Sequence, residues 1–402
     1  LPGIGQEREK ETMSSSLCLH NGTILTGYGQ MTGCAVLIED GKVADIFSEK
    51  RFAQKKFDPS TRIIDVGGCF VSPGFIDNHI HGFMGHGTDD RTTDAIVEMS
   101  RDLAQFGVTS FCPTIYPQDD EDFVRTIKAC VGAMGKESGA KILGLHLEGP
   151  FISPEKLGVQ RPETVRTVDL DLMERFWEAS EGRITNMTVA PELKGMRELA
   201  LYCVQKGITL QAGHTNATYE NMVEGFQAGI LHSTHCYNAM SSLHHRNPGA
   251  VGAVLAYREV GAEIIADGIH VHPELVRLLM RDKDLNKIVL VTDALKPTEQ
   301  REGCLFANGE EVVFKGDIFR RKSDDVIAGS SLTMIKGVKN LVSWGVSIED
   351  AVKMGSANAA AILNIPKLGS LIPGYAGDVV VFDRQYNVLM TVIAGDIKKN
   401  IL

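Results

Sequence analysis

Histidines and carboxylic acids recur in this chain at the ends of short apolar runs. The runs are Gly74-Phe-Ile-Asp-Asn-His79-Ile-His81, Gly144-Leu-His-Leu-Glu148, Leu210-Gln-Ala-Gly-His214, Leu231-His-Ser-Thr-His235, Ile264-Ile-Ala-Asp267-Gly-Ile-His270 and Val289-Leu-Val-Thr-Asp293. An apolar run of this length reads as a buried strand. Ligand-type residues at successive strand ends converge on one mouth if the strands close into a barrel. Glu148, His214 and His235 can then reach one ion, and one carboxylate with two imidazoles suits Zn²⁺ or Fe²⁺. Such an ion lowers the pKa of water and polarises a carbonyl, which is hydrolytic chemistry. His79 and His81 alternate along a strand and share its inner face. They either hold a second ion, extend the first site, or hydrogen-bond to Glu148 or Asp293. A carboxylate after Val-Leu-Val-Thr is costly unless paired or used. Asp293 is therefore read as a general base, against the plainer role of a loop cap.

The elements that must position these residues follow from periodicity. Apolar strand candidates lie near 74–80, 109–115, 142–148, 185–190, 208–213, 231–236, 262–267 and 288–293. Helical spacing separates them, as in Ala95–Leu103 before Gly107 and Leu275–Met280 after Pro273,. Strand–helix alternation of this kind predicts a TIM-like (β/α)₈ barrel in the α/β class. A doubly wound open sheet is the rival, but it concentrates its site at one switch point. Both chain ends read as β instead. Leu17–His20, Ala35–Ile38 and Lys42–Ile46 are punctuated by Asn21-Gly22 and Asp40-Gly41, both hairpin signals, and Asp378–Phe382 and Val388–Ile393 follow the same pattern,. They predict a small β-sandwich of residues 13–70 plus 366–402 around a catalytic barrel of residues 71–365. Residues 1–12 are read as an extension outside the fold. Asn308-Gly309 marks a hairpin inserted after strand 8, followed by helices near 331–345 and 348–363.

Composition narrows the function class. Apolar residues make up 43% and charged residues 23% of the 402, with a net charge of −10. No basic block points to nucleic acid, and no apolar run approaches the roughly 20 residues that span a bilayer. The eight cysteines are scattered without a C-x-x-C pair, which predicts reduced thiols in a cytoplasm. The loop after strand 6 carries Asn238, Ala239, His244, His245 and Arg246. Arginine suits phosphate through paired hydrogen bonds, although a solvated surface patch gives the same residues. His270 is placed to hydrogen-bond a substrate, and Ala328-Gly-Ser-Ser331 to offer backbone N–H groups or simply to cap a helix.

Together the motifs resemble the amidohydrolase superfamily, and within it the branch that deacetylates amino-sugar 6-phosphates. The strings are Pro73-Gly-Phe-Ile-Asp77 with His79-x-His81-Gly, His146-Leu-Glu-Gly-Pro150-Phe, Ala212-Gly-His-Thr215, Thr234-His-Cys-Tyr-Asn-Ala-Met240, Leu243-His-His-Arg246, Ala266-Asp-Gly-Ile-His270, Val291-Thr-Asp-Ala294 and Ala328-Gly-Ser330. The resemblance implies Glu148, His214 and His235 as metal ligands, with His79 and His81 present in some members only, so one or two ions per chain. It implies Asp293 as the catalytic acid/base. Asn238, Ala239, His245 and Arg246 would hold the sugar phosphate, the arginine often reaching across a homodimer interface. Val159, His270 and Ile327-Ala328-Gly329 would be further substrate contacts. Gln160 stands where many members carry a substrate-contacting histidine. Glu148 occupies the strand position of the superfamily's carboxylated lysine, so no modified lysine is expected. The implied reaction converts N-acetyl-D-glucosamine 6-phosphate to D-glucosamine 6-phosphate and acetate. The galacto epimer and a non-catalytic sugar-phosphate binder are the alternatives. A dihydroorotase-like or N-acyl amino acid hydrolase fits the Leu-His-His-Arg and Tyr-Asn-Ala-Met strings less well.

Overall fold

The computed structural model describes residues 16–300, 302 and 305–402. The expected extension at 1–12 and Cys304 lie outside the described residues.

Strands from both ends of the chain form one continuous mixed sheet. Ser16–Leu25, Gln30–Glu39 and Lys42–Ser48 make an antiparallel meander. Phe70–Pro73 runs parallel to the first strand and antiparallel to Val379–Phe382. Arg62–Asp65 runs parallel to the first strand, and Val388–Ile393 with Asp396–Asn400 completes the sheet. The side-chain period of two sends Leu17, Leu19, Val36, Ile38, Val379 and Val381 into one shared core,. Asp40 and Gly41, with φ of 51° and 71°, supply the two left-handed residues that a tight hairpin needs,.

Asn21-Gly22 is not the turn that its sequence suggests. It lies inside the first strand, where the register shifts between Leu19 and Gly22. Asn21 adopts φ 60° and makes a bulge,. Its backbone N–H donates to Glu49 Oε1 at 2.7 Å and its side chain to Asp65 Oδ1 at 2.8 Å. A Cβ on Gly22 would meet Val66 Cγ2 at 2.6 Å, so only glycine fits that approach,.

The barrel strands are β1 (Phe75–Ile80), β2 (Val108–Ile115), β3 (Leu145–Glu148), β4 (Ile184–Val189), β5 (Thr209–Ala212), β6 (His232–Ser233), β7 (Gly261–Ile265) and β8 (Ile288–Val291). Each pairs in parallel with the next. The ring closes where β8 meets β1. Asp293 N–H donates to the His79 carbonyl at 2.9 Å. Thr292 donates to the Asp77 carboxylate through Oγ1 at 2.6 Å and through its N–H at 3.3 Å. Closure removes the two free edges that a doubly wound sheet would keep.

Helices follow the strands in turn: α1 (Thr93–Ala104), α2 (Asp120–Ala133), α3 (Leu170–Ala179), α4 (Met196–Gln205), α5 (Tyr219–Gln227), α6 (Gly249–Ala256), α7 (Pro273–Asp282) and α8 (Met334–Ser343). The first shows why they form. Thr92 caps α1 by accepting from the Ala95 N–H, and Ile96, Met99 and Leu103 bury one face,. Each of those side chains contributes roughly 1.5–3 kcal/mol by leaving water. Gly107, at φ 85°, lets the chain turn into β2.

The insertion after β8 is larger than one hairpin. Leu305–Ala307, Glu310–Lys315 and Ile318–Arg321 form a three-stranded antiparallel sheet. Leu305, Val312 and Phe319 pack it onto Tyr116, Leu295 and Ala328 at the barrel mouth. The final helical stretch is broken into Ile348–Met354 and Ala357–Ile362. At the break the Gly355 carbonyl accepts from Ile76 N–H at 2.9 Å, which ties the stretch to β1.

Candidate active site

β1 carries His79, and His81 follows one residue beyond its end; they are 0% and 2% exposed. Glu148 is the last residue of β3. His214, His235 and Asp293 each stand two residues beyond the end of β5, β6 and β8. All three take positive φ, at 46°, 26° and 50°. Left-handed backbone at non-glycine residues costs roughly 1–3 kcal/mol each and persists where the surroundings over-determine it. Here it turns the three side chains back over the mouth.

The donor atoms converge on Glu148. Its Oε1 lies 3.2 Å from His214 Nε2, 3.2 Å from His235 Nε2 and 3.4 Å from His79 Nε2. Its Oε2 lies 3.4 Å from His81 Nε2. Asp293 Oδ1 is 3.4 Å from His79 Nε2 and 3.3 Å from His81 Nε2. These residues form two groups with metal-ligand spacing, His79–His81–Asp293 and Glu148–His214–His235. The alternatives for His79 and His81 are thereby joined: they face both carboxylates and also complete a second ligand group.

The hydrogen bonds behind these rings decide what the front can do. His214 Nδ1 donates to the Lys156 carbonyl at 2.9 Å, and His81 Nδ1 to the Thr114 carbonyl at 3.2 Å. His79 Nδ1 donates to Glu263 Oε2 at 3.1 Å. Each acceptor is an oxygen without a proton, so each Nδ1 must carry one. The three Nε2 atoms then turn lone pairs toward carboxylate oxygens. His214 and His235 bring two Nε2 atoms within 3.1 Å of one another. Buried His79 Nε2 has no hydrogen-bond partner among the described residues. Lone pairs facing lone pairs and carboxylates call for positive charge between them. Tetrahedral bonds of about 2.0–2.1 Å would set donor atoms about 3.3 Å apart, close to the spacing seen. The donor set fits a divalent metal.

Electrostatics agree. Burial opposes charging His79, yet Asp293, Glu148 and Glu263 raise its pKa well above the ordinary histidine range. Burial pushes Asp293 up, but His79 and His81 hold it at about 2. Burial likewise pushes Glu148 up, and His214 with His235 and His79 holds it well below the usual carboxylate range. His146, under His79, is driven well below 6.5 by burial and by His79, so it stays neutral. The ion-pair partners of Glu148 and Asp293 are all histidines. A divalent cation supplies what these buried carboxylates lack.

A cavity opens above the donors. It is lined by His81, Glu148, His214, His235 and Asp293, and also by Val159, Gln160, Asn238, Ala239, His270, Ile327 and Gly329. Gln160 does more than line it: its Nε2 donates to Glu148 Oε2 at 2.7 Å and braces that carboxylate. His270 Nδ1 donates to Asp267 Oδ2 at 2.6 Å, which fixes the ring with Nε2 free. Three expected residues are not brought to this cavity. Ala328 is buried under the inserted sheet. His245 and Arg246 lie on the exposed Leu243–Asn247 loop, where Arg246 Nη1 donates to His245 Nε2 at 2.7 Å.

Three lining residues, Tyr116, Gly158 and Leu295, were not among the expected site residues. Tyr116 stacks on His81 with ring centroids 3.6 Å apart and the rings nearly parallel, at 5°. Leu295 adds an apolar wall. Glu263, outside the cavity lining, was also missed and touches His79 from behind. Its signal was an acid inside the apolar run Gly261-Ala-Glu-Ile-Ile265.

Known proteins bear on this geometry. The family model described as "Amidohydrolase family" matches residues 70–398. The N-acetylglucosamine-6-phosphate deacetylase of Bacillus subtilis (strain 168) is 33% identical over 391 residues, covering 96% of this chain and 98% of that protein. The N-acetylgalactosamine-6-phosphate deacetylase of Escherichia coli O157:H7 is 33% identical over 334 residues, covering 81% and 87%. The crystal structure of N-acetylglucosamine-6-phosphate deacetylase from Pasteurella multocida superposes with a TM-score of 0.88 at 29% identity, covering 96% of this chain and all (100%) of that one.

Proposed function

The chain belongs to the amidohydrolase family, and on that premise we propose that it hydrolyses N-acetyl-D-glucosamine 6-phosphate to D-glucosamine 6-phosphate and acetate. One observation carries the reading. Donor atoms from β1 and from the ends of β3, β5, β6 and β8 meet within 3.1–3.4 Å at the mouth, beneath a cavity lined by Asn238, Ala239 and His270. The family is metal-dependent, and this donor set fits such a metal.

Glu148, His214 and His235 would hold one ion, and His79, His81 and Asp293 a second. The mixed nitrogen and oxygen donors suit Zn²⁺ or Fe²⁺. Bound there, the metal would polarise the acetyl carbonyl and make water more acidic. The protein's own residues do the rest. Asp293, whose ionised form is favoured by positive charge at the mouth, takes a proton from the attacking water. As the C–N bond breaks it returns that proton to the leaving amine. Gln160 holds Glu148 in place, and His270, fixed by Asp267, faces the substrate with Nε2. Val159, Ile327 and Gly329 shape the cavity wall, and Ala328 anchors that wall from below.

The proposal extends to a cytoplasmic homodimer, supported by the free described cysteines and by the exposed Leu243–Asn247 loop. No helix among the described residues is long and apolar enough to cross a membrane. In this reading Arg246 binds the 6-phosphate of a substrate bound at the partner's mouth. Loss of a charge-assisted hydrogen bond costs about 1.5–3 kcal/mol. Arg246→Ala should therefore raise KM roughly 10-fold or more for the phosphorylated sugar, and hardly at all for N-acetylglucosamine itself. Equal effects on both substrates would make Arg246 structural.

The relative named for the galacto epimer matches at the same 33% identity, which makes that epimer the second reading. Acetate release measured with both sugar phosphates tests the proposal. Higher kcat/KM on the gluco epimer is expected. Preference for the galacto epimer selects the second reading, and release from neither overturns both.

A further inference from the structure

Glu263 lies in the middle of β7, 1% exposed, inside the barrel. A carboxylate buried this deeply is costly unless every lone pair is used. Here both oxygens are occupied. Oε1 accepts from Asn78 Nδ2 at 2.7 Å and from Gln211 Nε2 at 2.5 Å. Oε2 accepts from His79 Nδ1 at 3.1 Å and from the His235 N–H at 3.3 Å. Among the described residues no lysine or arginine pairs with it, and its one ion-pair partner is His79. Neutral amides hold one oxygen still, so the other stands at a set place behind His79. The carboxylate cannot donate, so His79 must carry its proton on Nδ1 and turn the Nε2 lone pair toward Glu148 and Asp293,.

We infer that Glu263 is a positioning residue for the second metal: it fixes the tautomer and orientation of His79 and raises the basicity of His79 Nε2 toward a cation at the His79–His81–Asp293 group. His81 makes the contrast. Its Nδ1 is held by a neutral carbonyl, that of Thr114, so it receives orientation without the added negative charge. His214 is held likewise by the Lys156 carbonyl. Among the candidate metal-ligand histidines with a bonded Nδ1, which are His79, His81 and His214, His79 alone is backed by a carboxylate. Partners of this kind typically change metal affinity 10–100-fold. The inference rests on the two-ion reading above.

The test is zinc content and affinity, read without turnover. The wild-type protein is stripped, reloaded with Zn²⁺ and measured by elemental analysis and chelator competition. Two ions per chain are expected. Glu263→Gln should bind the second ion at least 10-fold more weakly and keep the first, with an unchanged far-UV circular dichroism spectrum. Glu263→Asp, which keeps the charge, should recover part of that affinity. In a His79→Asn background, Glu263→Gln should cost nothing further, because its effect passes through His79. A second ion held at wild-type affinity by Glu263→Gln overturns the inference, as does an equal loss in the His79→Asn background. One ion on the wild-type protein overturns the two-ion reading instead. Histidine-selective ¹⁵N NMR of the zinc-loaded wild type needs no folded variant: His79 should show a protonated Nδ1, and a protonated Nε2 overturns the inference.

Discussion

Stripping divalent metal from the protein is expected to abolish acetate release, and Zn²⁺ or Fe²⁺ to restore it. The expectation follows from charge. Glu148 and Asp293 are buried, their ion-pair partners are histidines, and the lone pairs of His79, His81 and His214 point at them. Without a cation, those carboxylates must draw protons onto the rings, and the rings then stop being ligands. Metal loss should also lower thermal stability. An ion that binds only the native state stabilises it by about 2.7 kcal/mol at 100 times its Kd. The apo protein should therefore melt at a lower temperature, and added metal should move the midpoint back in a concentration-dependent way. Full turnover by a sample shown metal-free by elemental analysis would sink the metal reading.

The strand ends could be read from sequence because chemistry there interrupts hydrophobicity. A buried parallel strand is nearly all apolar. A histidine or aspartate just past its end stands out, as with His214, His235 and Asp293. Other features carried no such contrast. Tyr116 follows the apolar run of β2 and reads as core, although it stacks on His81. Glu263 sits mid-strand, where the eye passes over a single acid. The cost of burying a carboxylate applied to it as fully as to Asp293 and could have found it. Asn21-Gly22 shows a different limit. A bulge and a hairpin both need a left-handed residue beside a glycine, so local chemistry is the same and only the register across strands separates them. The insertion after β8 also exceeded its signal, because Asn308-Gly309 marks one turn and the second pairing depends on packing against Leu295 and Ala328. Arg246 belongs to a last kind. In a single chain its loop is exposed and its substrate role has no structure to read, since that role would be completed by another copy.

Asp293 carries the sharpest expectation for catalysis. Its backbone closes the barrel through the His79 carbonyl, so its place is set by the fold and not by its charge. Its Oδ1 faces His79 and His81 at 3.4 and 3.3 Å. Without metal, positive charge on those two rings outweighs burial and keeps it ionised; a bound cation would act in the same direction and leave a carboxylate able to accept a proton at neutral pH. Asparagine has nearly the same shape, and Asp293→Asn should fold. Its amide oxygen would still face the rings, and an ion held by the Glu148–His214–His235 group should be retained. What it cannot do is take the proton from water and hand it to the amine. Removing such a group typically lowers rate about 10²–10⁴-fold, so kcat should fall by that order while KM changes much less. The sign of the pH dependence follows from the same carboxylate. Wild-type activity should fall on the acid side as Asp293 takes up a proton, and that limb should vanish in the variant. Near-normal kcat in Asp293→Asn would move the role of base elsewhere at the mouth. His81 is the next candidate, since it reaches both carboxylates and lines the cavity.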